Sequence, residues 1–238
     1  MIGSANNGTE PTDIKRMLQR FEDFGYSRAR GYYKFSRSDV WFTYAGSPSQ
    51  VTHVAYLEYK PTWRAYAFKL GAFTPDSHRL AVAAIPTLAK YLHPSAATGS
   101  WHLERRPCWT FIDAGQMLGW TFVCLPDPSK REGWEEHLLE LQENLLRPIF
   151  WCLSDAEQLA QLWLQKVHKL DWVAGNSVLR AAEIAALSIV AGTSASMVID
   201  KLEPYHGLIA RDMFLDKNVP RFLEELFQSL QAVFNTRG

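Results

Sequence analysis

Cysteine is scarce in this sequence. The three cysteines, Cys108, Cys124 and Cys152, form no CxxC pair and no cluster with histidine. An odd number of isolated thiols argues against a disulfide framework and favours a reducing compartment. The opening residues MIGSANNGTEPTD lack the basic start and apolar run of a signal peptide, and no stretch approaches the roughly 20 apolar residues of a membrane span. We therefore expect a cytoplasmic protein with no membrane partner.

The motifs of familiar chemistries are also missing. The sequence has no GxSxG nucleophile elbow, no Walker loop and no GxGxxG phosphate cradle. Its seven histidines form no HxH or HExxH motif. His137 and Glu140 form a lone HxxE, which is a weaker signal than a di-iron site because that also needs carboxylates from partner helices. The sequence therefore predicts no catalytic residue, no metal and no cofactor.

Net charge is zero over the 238 residues, but the two halves differ in sign. Residues 1–130 carry 15 Lys and Arg against 10 Asp and Glu, whereas residues 131–238 carry 10 against 15. Such polarity favours steering of a charged partner. The basic half has no clustered run of Lys and Arg, so nucleic acid is not the expected partner.

Alternating aromatic and apolar residues between positions 31 and 73 predict β-strands. In the third of these, His53 and Leu57 fall on one face, while Val54 and Glu58 fall on the other. We expect an antiparallel β-meander covered on one side, which accounts for the aromatic residues without a ligand. The predicted strands are residues 32–36, 40–45, 51–59, 63–73, 108–113 and 120–125.

Apolar residues at helical spacing predict helices at both ends of this sheet region. A first helix runs from about residue 11 to Gly25, and a second from Thr74 to about residue 92, where Pro86 should kink or interrupt it. After residue 128 the pattern stays helical. Two helices are predicted to start at the capping boxes Ser129/Glu132 and Ser154/Glu157. Three further helices are predicted over residues 176–191, 194–203 and 219–234.

These patterns predict an α+β protein, an antiparallel β-meander sheet packed on helices and followed by an all-helical C-terminal half. We expect a disordered tail over residues 1–10 and an α+β sheet domain over residues 11–128. A helical C-terminal subdomain packed on that sheet domain should then occupy residues 129–238. The oligomeric state is left open.

Four acidic residues of the first C-terminal helix are predicted to share one stripe. Glu132, Glu136, Glu140 and Glu143 recur at spacings of four, four and three residues, turned away from the apolar side of the helix. We call these four residues the acidic stripe. Two interpretations stay open: an ordinary solvated face, or a docking surface for a basic partner.

Asp113 is the other candidate for chemistry. In TFIDAG it follows a predicted strand, a position where catalytic acids often lie, although Asp-Ala-Gly after a strand is also typical of a turn, the interpretation that we favour. If Asp113 were catalytic, the protein would be a small-molecule binding or hydrolytic domain. Its pocket would then open on the sheet near Asp113, and it would use Asp113 together with a nearby histidine.

Three soft motifs stand in the first half: FEDFGY at residues 21–26, YYKF at 32–35 and KLGAF at 69–73. With the order of elements over about residues 12–128, they resemble a family of small α+β bacterial proteins, many of them immunity partners in polymorphic-toxin and contact-dependent secretion systems. The resemblance implies a cytoplasmic, non-enzymatic protein that binds a cognate toxin domain and blocks its active site or substrate access. On this hypothesis we expect Glu136, Glu140 and Glu143 to contact the toxin.

Overall fold

The architecture comes from a computed structural model. It describes residues 12–28, 40–44, 51–93, 110, 112–113, 124–127, 132–147, 155–169 and 176–236. The predicted tail over residues 1–10 and the predicted strand over 32–36 lie outside the described residues.

The described chain is a mixed sheet-and-helix structure whose helices dominate the second half, which confirms the predicted α+β class. The strands are β1 Tyr26–Arg28, β2 Val40–Tyr44, β3 Thr52–Lys60, β4 Ala65–Phe73, β5 Ile112–Asp113 and β6 Cys124–Pro126. The helices are α1 Thr12–Asp23, α2 Pro75–Ala83, α3 Ile85–Leu88, α4 Trp134–Leu141, α5 Ala156–Gln165, α6 Ser177–Val190, α7 Ala195–Leu202, α8 His206–Asp212 and α9 Val219–Asn235. A π-helical turn, Gln142–Leu146, follows α4, and 3₁₀ turns, Val167–Lys169 and Glu203–Tyr205, follow α5 and α7.

The sheet is antiparallel, with strands β1 to β5 in sequence order, and β6 also pairs with β4. The register places Ala55 between Phe42 of β2 and Leu70 of β4. Strands β5 and β6 share the outer edge of β4, because β5 pairs with its Lys69–Leu70 segment and β6 with its Ala65–Ala67 segment. The predicted meander is therefore present over β2 to β4, and β1, which the sequence did not predict, pairs with the other side of β2.

Both faces of the central strands are buried, so the expectation of a sheet covered on one side is wrong. Leu57 and Phe68 lie on the face that packs in the main core, with Phe21 of α1. Val54 and Ala67 on the opposite face are also buried. That face carries charge, but Glu58 accepts bonds from Lys60 at 2.7 Å and Lys69 at 2.9 Å, and paired charges can be buried.

Helix α6 lies at the centre of the helical half. Its residues 177–188 are all buried, and it contacts α2, α5, α7, α8 and α9. One hydrophobic core runs through both halves of the chain, from Met17 to Leu230. Helix α2 from the first half packs directly on α6 from the second half, so contacts alone do not separate the two halves. The predicted division of the chain after residue 128 stays a prediction.

Helix ends agree with the sequence at α2 and differ at α4 and α5. Thr74 forms a reciprocal capping box with Ser77, and α2 ends at Ala83 so that Pro86 lies in the separate helix α3, as expected. Helix α5 is capped by Asp155, whose side chain accepts from the Gln158 N–H at 2.8 Å, rather than by Ser154. Neighbouring residues that both make good caps account for this one-residue difference.

Helix α4 begins later than the predicted capping box at Ser129 and Glu132. Its cap is Gly133, which has a φ of 74° and makes no side-chain capping bond. A positive φ of this size is favourable only for glycine, so the chain enters the helix through a left-handed residue. Ser129 lies outside the described residues, and Glu132 precedes the helix.

Candidate functional site

Helix α4 presents two faces of different character. Trp134, Leu138 and Leu141 are buried, and Leu138 has no exposed surface. Helical spacing places the polar positions on the other side, where Glu136 and Glu140 are exposed. Leu139 lies among these polar residues with 50% of its surface exposed. An apolar side chain surrounded by carboxylates is therefore displayed to solvent on this helix.

A π-helical turn continues α4 over Gln142–Leu146. The Arg147 N–H bonds to the Gln142 carbonyl, five residues earlier. One wide turn adjusts the helix so that Leu145 and Leu146 are both buried. The sequence pattern predicts that Leu139 and Leu145 both belong to the apolar side of this segment; Leu145 is buried as expected, whereas the prediction is wrong for Leu139, which is 50% exposed.

Helix α4 is tied to α1 by Glu135, which the sequence reasoning missed. Glu135 accepts a bond from Arg16 at 2.8 Å and one from Arg20 Nε at 3.1 Å. The Arg16 guanidinium also lies 6.0 Å from the centre of the Trp134 ring. Arg16 and Arg20 are four residues apart and therefore lie on the same face of α1. This spacing is the sequence feature that could have indicated a carboxylate partner for them.

The structure places the three predicted contact residues along the exposed side of α4 and the π turn. Glu136 lies in the first helical turn, where the positive end of the helix dipole favours a carboxylate. Glu140 has 74% of its side chain exposed and lies 3.8 Å from His137 Nδ1. Glu143 accepts from Arg147 at 2.8 Å with both carboxylate oxygens. Glu143 is thus neutralised by a neighbour that the sequence reasoning did not pair with it.

Glu136 and Glu140 differ from Glu143 and Glu135 in their partners. Neither pairs with a lysine or arginine within the described part of the chain. The Oε2 atom of Glu136 lies over Gly133, 3.8 Å from the position that a β-carbon would occupy there. Among the described residues, two carboxylates four residues apart on α4 therefore lack a Lys or Arg partner, and Glu136 lines the same groove as Leu139.

A groove of about 310 Å³ lies between the end of α1 and the first turns of α4. We call it the α1–α4 groove. Its lining residues are Arg20, Asp23 and Phe24 from the α1 side, and Glu135, Glu136, Leu138 and Leu139 from α4. Three of these seven side chains are acidic and one is basic, so the groove carries a negative charge and has a partly apolar lining.

Asp113, the candidate catalytic acid, ends β5 and pairs through its backbone register with Lys69 of β4. Its side chain is outside the described residues, so the hypothesis of a sheet pocket near Asp113 stays a prediction. Among the described residues, no three His, Cys, Asp or Glu side chains come close enough to hold a metal ion. No helix in the described ranges has the length and apolar character needed to cross a bilayer.

A second charged cluster joins the segment after α3 to α9. Glu225 accepts bonds from the Lys90 ammonium and the Tyr91 hydroxyl, and from Arg221 Nε at 3.1 Å. The bond from Lys90, then that from Tyr91, lowers the pKa of Glu225 to about 2. The Tyr91 ring packs edge-on against Phe222, with ring centres 5.0 Å apart. Such a strongly acidic carboxyl is a poor proton acceptor at neutral pH, so we assign this cluster a structural role.

Comparison of the chain with known protein-family models, with characterised protein sequences and with solved structures finds no match.

Proposed function

We propose that this protein is a non-enzymatic inhibitor that binds a cognate toxin domain through the exposed side of α4. The observation that carries the proposal is the pair of carboxylates Glu136 and Glu140, which have no Lys or Arg partner among the described residues and share the exposed side of α4 with the half-exposed Leu139. The first-half resemblance to bacterial immunity proteins supplies the functional class, and on this proposal the protein acts in the cytoplasm.

The composition of this surface suits a protein partner. Protein interfaces bury apolar side chains at their centre and place charged residues at the rim. Leu139 provides the centre, and Glu136 and Glu140 provide a rim of one sign. A basic cleft on a toxin would be complementary to them, and the excess of acid over residues 131–238 would attract it at longer range. Because Glu143 is already paired with Arg147, we expect it to contribute less than the other two.

The proposal is tested by growth rescue of cells that express the toxin domain encoded beside this gene. The parent protein should restore growth, and the double charge reversal Glu136→Lys/Glu140→Lys should not. The matched control is Glu157→Lys/Glu224→Lys, which changes the net charge by the same amount at two exposed residues on α5 and α9. Equal rescue by both double variants would show that this side of α4 is not the binding surface. Absence of any toxic neighbour would remove the immunity function itself.

A further inference from the structure

We infer that the α1–α4 groove binds a single arginine side chain of the partner protein. This inference rests on the proposed function and adds the chemistry of the contact. It makes the groove, rather than the acidic stripe alone, the place where the partner is anchored.

The groove has room for an arginine side chain, and its lining suits one. Its volume of about 310 Å³ is at the lower limit of the roughly 300 to 1,000 Å³ that ligand sites occupy. Phe24, Leu138 and Leu139 supply apolar surface. The methylene stem of an arginine packs on such surface while its guanidinium reaches a polar edge. An acidic or purely apolar side chain would leave the Glu136 carboxylate without a partner.

The charge of the groove selects a cation. Asp23 and Glu136 both line it, and α1 ends at Asp23, so the negative end of that helix dipole lies at the same place. Asp23 already accepts a bond from Gln19 and lies 3.5 Å from Arg20. Glu136 forms no ion pair with any described residue and is therefore the carboxylate free to receive a guanidinium.

The same pair of helices already binds guanidinium groups. Arg16 and Arg20 of α1 both donate to Glu135, the residue next to Glu136 in α4. An arginine from a partner would repeat this contact one position further along the helix. Arginine is favoured over lysine because its planar fork donates two parallel bonds to a carboxylate and is more weakly hydrated.

The experiment is a titration of the ¹⁵N-labelled full chain with N-acetyl-arginine amide, followed by amide chemical shifts. N-acetyl-citrulline amide is the control probe, since it has nearly the same shape without the charge. We expect shifts with arginine confined to the end of α1 and the first turns of α4, and little change with citrulline. Equal responses to the two probes, or shifts spread over the whole surface, would overturn the arginine pocket.

Two variants locate the site in the same titration. Glu136→Gln should weaken binding of N-acetyl-arginine amide roughly tenfold, the effect of losing one charge-assisted hydrogen bond, and Leu139→Ser should weaken it through the lost apolar surface. Glu22→Gln is the matched control, because Glu22 is exposed in the last turn of α1 but does not line the groove. Unchanged binding by both Glu136→Gln and Leu139→Ser would refute the inference.

The two proposals fail separately. If rescue depends on Glu136 and Glu140 but the arginine probe does not bind, the arginine pocket is wrong and the proposed function stands. If the probe binds the groove but charge reversal leaves rescue intact, the protein does not meet its partner through this surface and both proposals fall.

Discussion

Two neighbouring leucines of α4 should lose very different amounts of stability on the same substitution. Leu138 has no exposed surface and belongs to the main core, whereas Leu139, the next residue, is 50% exposed. Replacing a fully buried leucine by alanine costs about 2 to 5 kcal/mol, since it combines lost transfer free energy with a cavity. Full burial of a leucine side chain is worth roughly 1.5 to 3 kcal/mol. Because Leu139 is only about half buried, it gains about half of that free energy, and an alanine at this position would keep part of the gain. We therefore expect about 3 kcal/mol for Leu138→Ala and less than about 1 kcal/mol for Leu139→Ala.

Thermal unfolding followed by circular dichroism measures both effects. In a chain of this length, 1 kcal/mol shifts Tm by about 2 to 4 °C, so Leu138→Ala should lower Tm by about 6 to 12 °C and Leu139→Ala by less than about 4 °C. The affinity for the partner should follow the opposite order. Leu139→Ala should bind the partner more weakly than Leu138→Ala, although it is the more stable of the two variants. Similar losses of Tm in the two variants would refute the assignment of a buried and a displayed side to α4.

Three further predictions concern the rest of the fold. The pKa of Glu225 is lowered to about 2 from an ordinary value of 4.5, so its bonds stabilise the folded state above about pH 4.5 and this stability is lost as pH falls toward 2. When Tm is measured as a function of pH, Glu225→Gln should therefore lose less stability over that range than the parent. An unchanged slope of Tm against pH would contradict this. Gly192→Ala should cost roughly 1 to 2 kcal/mol in chemical denaturation, because its φ of 72° is unfavourable for alanine although nothing lies within 4 Å of the added carbon; no measurable cost would contradict the left-handed conformation. Thr74→Ala should cost about 1 kcal/mol through the lost cap of α2, and Thr74→Ser should retain the stability if the capping bond to the Ser77 N–H is the cause.

Local patterns in the sequence predicted a helix well where its apolar residues recur at helical spacing and its apolar side is buried. The apolar run at residues 181–192 is too short to span a membrane and contains Glu183, a combination that predicts a core helix, and residues 177–188 of α6 are buried. Pro86 was expected to interrupt its helix because the ring removes a backbone donor, and α2 ends three residues before it. These features are set within a few residues of chain. Strand β1 and helix α8 are short elements with weak periodicity, and the sequence reasoning did not predict either.

Tertiary relations were not accessible in the same way. Alternation in β3 correctly separated Val54 from Leu57, but it gave no measure of what covers each face, so the burial of both faces was missed. Glu135 and Glu136 are adjacent acids in one helical turn, and only the position of α1 distinguishes them. The pairing of Glu143 with Arg147 follows the four-residue rule and could have been predicted from the sequence.

The most direct test of the central claim is the equilibrium affinity between this protein and the purified toxin domain, measured by calorimetry at low and at high salt. We expect the parent to bind more weakly as salt rises, and Glu136→Lys/Glu140→Lys to lose most of the affinity and most of that salt dependence, while Glu157→Lys/Glu224→Lys behaves like the parent. Tight, salt-dependent binding that the Glu136 and Glu140 reversals leave unchanged would contradict the claim that this side of α4 recognises the partner.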